Sequence, residues 1–150
     1  MHLTTASITL IIATALQLIP SVSAEVGIHC GTTKDATFSD CKSLIEDESA
    51  WNAAFNTANT CSYLNPWIVP YPQTAYNVAC KGNCCVYVAG YESYDISRVD
   101  TRRQAQGLLG CADTGKDKIN AMQKFDDGHG VCISNGSGCG DCFDDRDFLN

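Results

Sequence analysis

Ten cysteines, none of them before Cys30, constrain this chain of 150 residues more than any other feature. Cys30, Cys41, Cys61, Cys80, Cys84, Cys85, Cys111, Cys132, Cys139 and Cys142 form an even set, which reads as a disulfide framework made in an oxidising compartment. Ten cysteines allow about 945 pairings, so counting assigns no connectivity. The neighbours Cys84 and Cys85 give one local constraint. On a strand their side chains point to opposite faces, so they should tie that strand to two different elements, within a sheet covered on both faces. Cys139-Gly140-Asp141-Cys142 also has the spacing of a redox dithiol or of half a zinc site. Zinc needs free thiolates and usually a second paired spacing, so the reading adopted is a structural disulfide, with no metal and no cofactor.

The start of the chain supplies the compartment. Ala6 to Ile19 is apolar or small and uncharged, and Pro20-Ser21 leads into Val22-Ser23-Ala24, a small-residue cleavage pattern. Residues 1–24 are therefore expected to be a secretory signal peptide, and residues 25–150 a secreted, extracellular domain. A membrane anchor needs about 20 apolar residues, whereas this run has about 14 and contains Thr9, Thr14 and Gln17, so no membrane insertion is expected. The remaining ~126 residues make one domain, large enough to bury about two-thirds of its unfolded surface, so the cysteines reinforce a core rather than replace one. Ten Lys and Arg against 17 Asp and Glu give a net charge of −7, which opposes phosphate contacts and makes nucleic acid an unsuitable partner.

Ser39 is placed as the N-cap of a short helix near Asp40–Glu48, with Cys41, Leu44 and Ile45 at helical spacing. Trp51, Ala54 and Phe55 suggest a second helical turn after Ser49. From Thr60 to Gln73 the prolines and aromatics predict an exposed loop. Ala75 to Ala89, broken at Lys81-Gly82-Asn83, reads as a hairpin. Ser97 followed by Asp100 resembles a capping box, and Ala105, Leu108 and Leu109 continue an apolar stripe, predicting a helix from Ser97 to Leu109. A second hairpin is predicted from Ile119–Phe125 and Val131–Ser134 about the turn Asp126-Asp127-Gly128. Helices interleaved with two hairpins give an α+β or layered α/β protein whose sheet needs helices to cover it.

Beyond His2, the chain has only His29 and His129, both expected to be solvated surface residues. His-Glu-x-x-His and Gly-x-Ser-x-Gly are absent, so no catalytic residue is assigned. Paired carboxylates suffice for glycoside hydrolysis, which counting neither supports nor excludes. Asp141, Asp144, Asp145 and Asp147 lack the glycine and terminal glutamate of a calcium loop and read as a solvated tail. Asn135-Gly136-Ser137 is both a glycosylation sequon and an Asn-Gly turn.

Aromatic residues in predicted loops remain: Trp67, Tyr71, Tyr91 and Tyr94. An aromatic ring covers the C–H face of a sugar while Asp or Asn takes its hydroxyls, and Trp67 with Asn65, and Tyr91 with Asp95, have that pairing. The competing reading packs Trp67, set between prolines, inward as part of a satellite core.

The block Tyr76-Asn77-Val78-Ala79-Cys80-Lys81-Gly82-Asn83-Cys84-Cys85-Val86-Tyr87-Val88 and the ending Gly138-Cys139-Gly140-Asp141-Cys142-Phe143-Asp144-Asp145 resemble small secreted mushroom glycan-binding proteins with a Y-three-like lectin domain. Cys30-Gly31-Thr32-Thr33 through Asp40-Cys41, and Leu108-Leu109-Gly110-Cys111, extend the resemblance over nearly the whole mature chain. It implies a single-domain αβα sandwich with a mostly antiparallel sheet of about five strands, dimers joined by sheet extension, and lectin activity toward GalNAc-containing fucosylated glycans without catalysis. Glycans or glycoproteins are thus the expected partners of a homodimer. A cell-wall glycosidase with paired carboxylates, or a defence or killer-type toxin, are the rival functions.

Overall fold

A computed structural model describes residues 27–31, 34–62, 74–90, 95–136 and 142–143. Six strands form one antiparallel sheet: β1 (Gly27–Cys30), β3 (Thr60–Ser62), β4 (Thr74–Lys81), β5 (Cys84–Ala89), β7 (Ala121–Lys124) and β8 (Gly130–Ser134). Their spatial order is β1-β7-β8-β5-β4-β3. A two-stranded ladder of β2 (Ala36–Thr37) and β6 (Lys118–Ile119) lies apart from it. The expected mixed α/β fold is present, with six strands in the main sheet where about five were anticipated.

Both hairpins form where the turn residues place them. Gly82 and Asn83 link Lys81 to Cys84, and Gly82 takes φ +56°, which only glycine adopts at little cost. Lys124 pairs with Gly130 around the turn that holds Asp126-Asp127-Gly128. The central strands β5 and β8 are buried at every position, as covering on both faces requires, whereas β1 at the edge alternates between half-buried and exposed. Thr60–Ser62, expected to open a loop, instead pairs with Thr74–Tyr76 as an edge strand. The prolines that motivate the loop begin only at Pro66, and Thr60–Ser62 ahead of them are free to pair with the edge of β4.

Among the described residues three helices, α1 (Phe38–Ile45), α2 (Glu48–Ala54) and α3 (Arg98–Leu108), pack on one face, where Leu44, Ile45, Trp51 and Leu108 meet Val78, Val86, Val88, Val131 and Ile133. On the opposite face Ala75, Cys85, Tyr87, Ala89, Met122 and Cys132 are covered by Cys142 and Phe143. Cys84 and Cys85 do face opposite ways: Cys84 bonds Cys41 of α1 and Cys85 bonds Cys80 of β4. Cys30–Cys111 and Cys132–Cys142 complete the four disulfides among the described residues, so Cys142 is a structural cysteine rather than a metal ligand or redox thiol.

Capping separates α3 from α1. Ser97 caps α3 as expected, its Oγ accepting from the Asp100 amide at 3.2 Å. Asp47 caps α2 by accepting from the amides of Ser49 and Ala50. Ser39, however, is not the cap of α1. The helix begins at Phe38, and the first-turn donors are met by Asp117: its carbonyl accepts from the Phe38 amide at 3.0 Å, and its carboxylate accepts from the Ser39 amide and hydroxyl, each at 2.8 Å. Asp117 holds φ +52° to do so. A carboxylate from a distant turn thus satisfies helix donors that a local side chain would otherwise take.

Candidate functional site

Where β1 ends, the Cys30–Cys111 disulfide joins it to a 3-10 turn (Leu109–Cys111) that follows α3. The chain then folds through a tight turn in which the Asp113 amide donates to the Lys118 carbonyl at 2.8 Å. β6 follows, paired with β2 so that Ala36 faces Ile119. These constraints enclose an open depression of about 370 Å³, lined by the disulfide, Asp35, Asp113, Lys116, Lys118 and Asn120.

The polar groups of this depression are organised in two pairs. Asp35 accepts from Lys118 Nζ at 2.9 Å through one oxygen, and from Asn120 Nδ2 at 2.6 Å through the other. Those two bonds, the lysine's first, hold its carboxyl below the usual value against the opposing effect of desolvation. Across the depression, Lys116 Nζ lies 3.0 Å from Asp113. Its hydrogen bond holds the Asp113 carboxyl below, and the Lys116 ammonium above, their usual values. Both carboxylates are therefore ionised at neutral pH. Such a surface offers charged acceptors beside ammonium and amide donors, which suits the exchange of hydrogen bonds with hydroxyl groups.

His129 departs from the sequence expectation. It is 5% exposed, not solvated, because the β7–β8 turn presses against the chain at Gly90. A Cβ at Gly90, which has φ +82°, would lie 2.6 Å from the Gly128 carbonyl oxygen. The imidazole stacks on Phe125 with centroids 4.2 Å apart. Its Nδ1 meets the Asp127 carboxylate, and the Gln104 amide of α3 donates to Nε2 at 3.0 Å. With the amide so placed the ring is the neutral Nδ1–H tautomer. Burial pushes its pKa below the usual value in spite of the opposing pull of Asp127. This cluster joins a hairpin to a helix and presents no nucleophile. His29 is half-buried on the edge strand β1, opposite Met122.

Of the glycan-contact residues expected from sequence, only Asp95 lies among the described residues, where it is exposed just ahead of α3. Trp67, Tyr71, Asn65, Tyr91 and Tyr94 lie outside them, as do Asp141, Asp144, Asp145 and Asp147. Asp35, Lys118 and Asn120 were not singled out, because they come from separate segments and carry no motif. The spacing Lys118-x-Asn120 and the residue pair Lys34-Asp35 mean nothing until β2 and β6 are paired. Among the described residues no group of three or more His, Cys, Asp or Glu side chains is placed to hold a metal, and no helix is long and apolar enough to cross a membrane. Compared with known family models, with curated proteins and with solved structures, the chain matches none.

Proposed function

We propose that the protein is a secreted lectin that binds GalNAc-containing, fucosylated glycans reversibly and without catalysis. The observation that carries this reading is the depression at Asp35, Lys118 and Asn120, an accessible set of hydroxyl-bonding groups fixed by a disulfide and a β-ladder. Its two carboxylates favour binding over hydrolysis. Glycoside hydrolysis requires one carboxyl to carry a proton to the leaving oxygen, usually by having its pKa raised. Lysine partners shift Asp35 and Asp113 the other way. Four disulfides suit an oxidising, extracellular setting. Resemblance to the mushroom lectins names the glycan class, and Trp67, Tyr71, Tyr91 and Tyr94 with Asn65 and Asp95 are the aromatic and polar side chains assigned from sequence to glycan binding. Two copies in a homodimer would convert weak single-site affinity into avidity on a multivalent surface.

A glycan array probed with the oxidised protein, with and without a chelator, tests the proposal. Selective, chelator-independent binding to a related group of neutral glycans is the expected result. Silence across the array, or release of reducing ends from cell-wall polysaccharide, would overturn it.

A further inference from the structure

Asp35 offers more than a charge to the depression. An ionised carboxylate has about four acceptor positions, two on each oxygen. Lys118 occupies one position on Oδ2 and Asn120 one on Oδ1, which leaves one on each oxygen. Lys118 is an ammonium with three donors, one of which is given to Asp35. Both side chains remain accessible, Asp35 40% and Lys118 53% exposed. Two acceptors side by side, next to two remaining donors, match two adjacent ring hydroxyls, each donating to the carboxylate and at least one accepting from the ammonium. The Cys30–Cys111 disulfide lines the same depression and supplies an apolar, polarisable surface for a ring's C–H face.

Charge selects among sugars. Each lysine of the depression is matched by a carboxylate, Lys118 by Asp35 and Lys116 by Asp113. An acidic sugar would have to pull Lys118 from Asp35 and would meet a second carboxylate in Asp113, on a protein whose net charge is −7. A neutral sugar keeps both ion pairs intact.

Resting on the glycan-binding reading, we infer that this depression is the primary sugar site. It takes a neutral pyranose through two adjacent hydroxyls held by Asp35 and Lys118, and it rejects sialylated, sulfated or uronic glycans.

The experiment uses the full oxidised protein and a neutral oligosaccharide taken from the array, compared with its sialylated and sulfated counterparts by calorimetry. Asp35→Asn and Lys118→Met are each expected to weaken neutral-glycan binding at least tenfold, while acidic counterparts bind at least tenfold more weakly than the neutral one to the unmodified protein. In unmodified, isotope-labelled protein, the amide resonances of Gly31, Asp35, Lys118 and Asn120 should shift on adding the neutral glycan, a readout that does not depend on a variant folding. Glycan binding that leaves those resonances and both variants unchanged, or that is lost only in Trp67→Ala, overturns the site and spares the lectin reading. Preference for acidic glycans overturns the ligand class, and absence of any binding overturns the lectin reading and the site together.

Discussion

On the helix side of the sheet, eighteen buried residues among those described, from α1, α2, α3, the segment just before α3 and six of the sheet and ladder strands, form one cluster, with one disulfide, Cys41–Cys84, running through it. On the other side the cluster has eight of the described residues, three of which are cysteines, and two disulfides, Cys80–Cys85 and Cys132–Cys142, hold it. Among the described residues, Phe143 lays a large side chain there from beyond the sheet strands, close enough to β8 that a Cβ at Gly130 would lie 2.8 Å from its ring. A sheet of this kind must cover both faces, and among the described residues the cover differs: a larger cluster under helices on one face, a smaller and more heavily cross-linked one on the other. On that second face the covalent bonds add to burial by reducing the freedom of the unfolded chain.

That contrast breaks if the two faces respond alike. Trp51→Ala removes a side chain 1% exposed, together with the 3.0 Å bond from its Nε1 to the Arg98 carbonyl, and is expected to cost about 3–5 kcal/mol in urea unfolding. Replacing Cys132 and Cys142 together by serine opens a loop with sequence separation 10 and should cost less, about 2–3 kcal/mol. In that double variant the exchange of β8 amides should accelerate while the amides of α3 remain protected. A cysteine pair whose loss costs more than Trp51→Ala, or which loosens α3 as much as β8, would show that the faces are not separately supported.

What could be read from sequence follows the distance over which each feature is determined. The hairpin turns at Gly82-Asn83 and Asp126-Asp127-Gly128, and the Ser97 cap of α3, depend on residues a few positions apart, and all three form as expected. The alternation at Cys84-Cys85 also predicted opposite faces correctly, because strand geometry alone decides it. Partners of those cysteines were beyond reach, since pairing is a property of the assembled sheet. The cap of α1 failed for the same reason: Asp117 reaches Ser39 across 78 positions, and nothing near Ser39 announces it. His129 is buried by Gly90, Phe125 and Gln104, three residues that meet only after hairpin and helix dock. The depression depended on joining Asp35 to Lys118, 83 positions away. Sequence directed attention to aromatics instead, because rings between prolines stand out and scattered Asp, Lys and Asn do not.

His129 gives the smallest effect and sharpens the contrast most finely. It joins the β7–β8 turn to α3 through a ring nitrogen that accepts from Gln104, so protonating that nitrogen sets two donors against each other. Burial lowers its folded pKa below the ordinary 6.5, so the unfolded chain binds the proton more readily. Stability from the neutral ring is therefore complete above pH 6.5 and declines as pH falls through and below that value. Asp127, Asp35 and Asp113 act in a separate, lower window, since carboxyls lowered from 3.8 stabilise above that value and lose their contribution below it. The two disulfides of the opposite face do not titrate, because their cysteines are oxidised. Between pH 7 and pH 5, hydrogen exchange measured relative to the intrinsic amide rate at each pH should accelerate along α3 and the β7–β8 turn and remain unchanged in β4 and β5, and His129→Gln should abolish this dependence. Uniform acceleration across both faces, or a dependence that survives in the variant, would place the acid-sensitive group elsewhere.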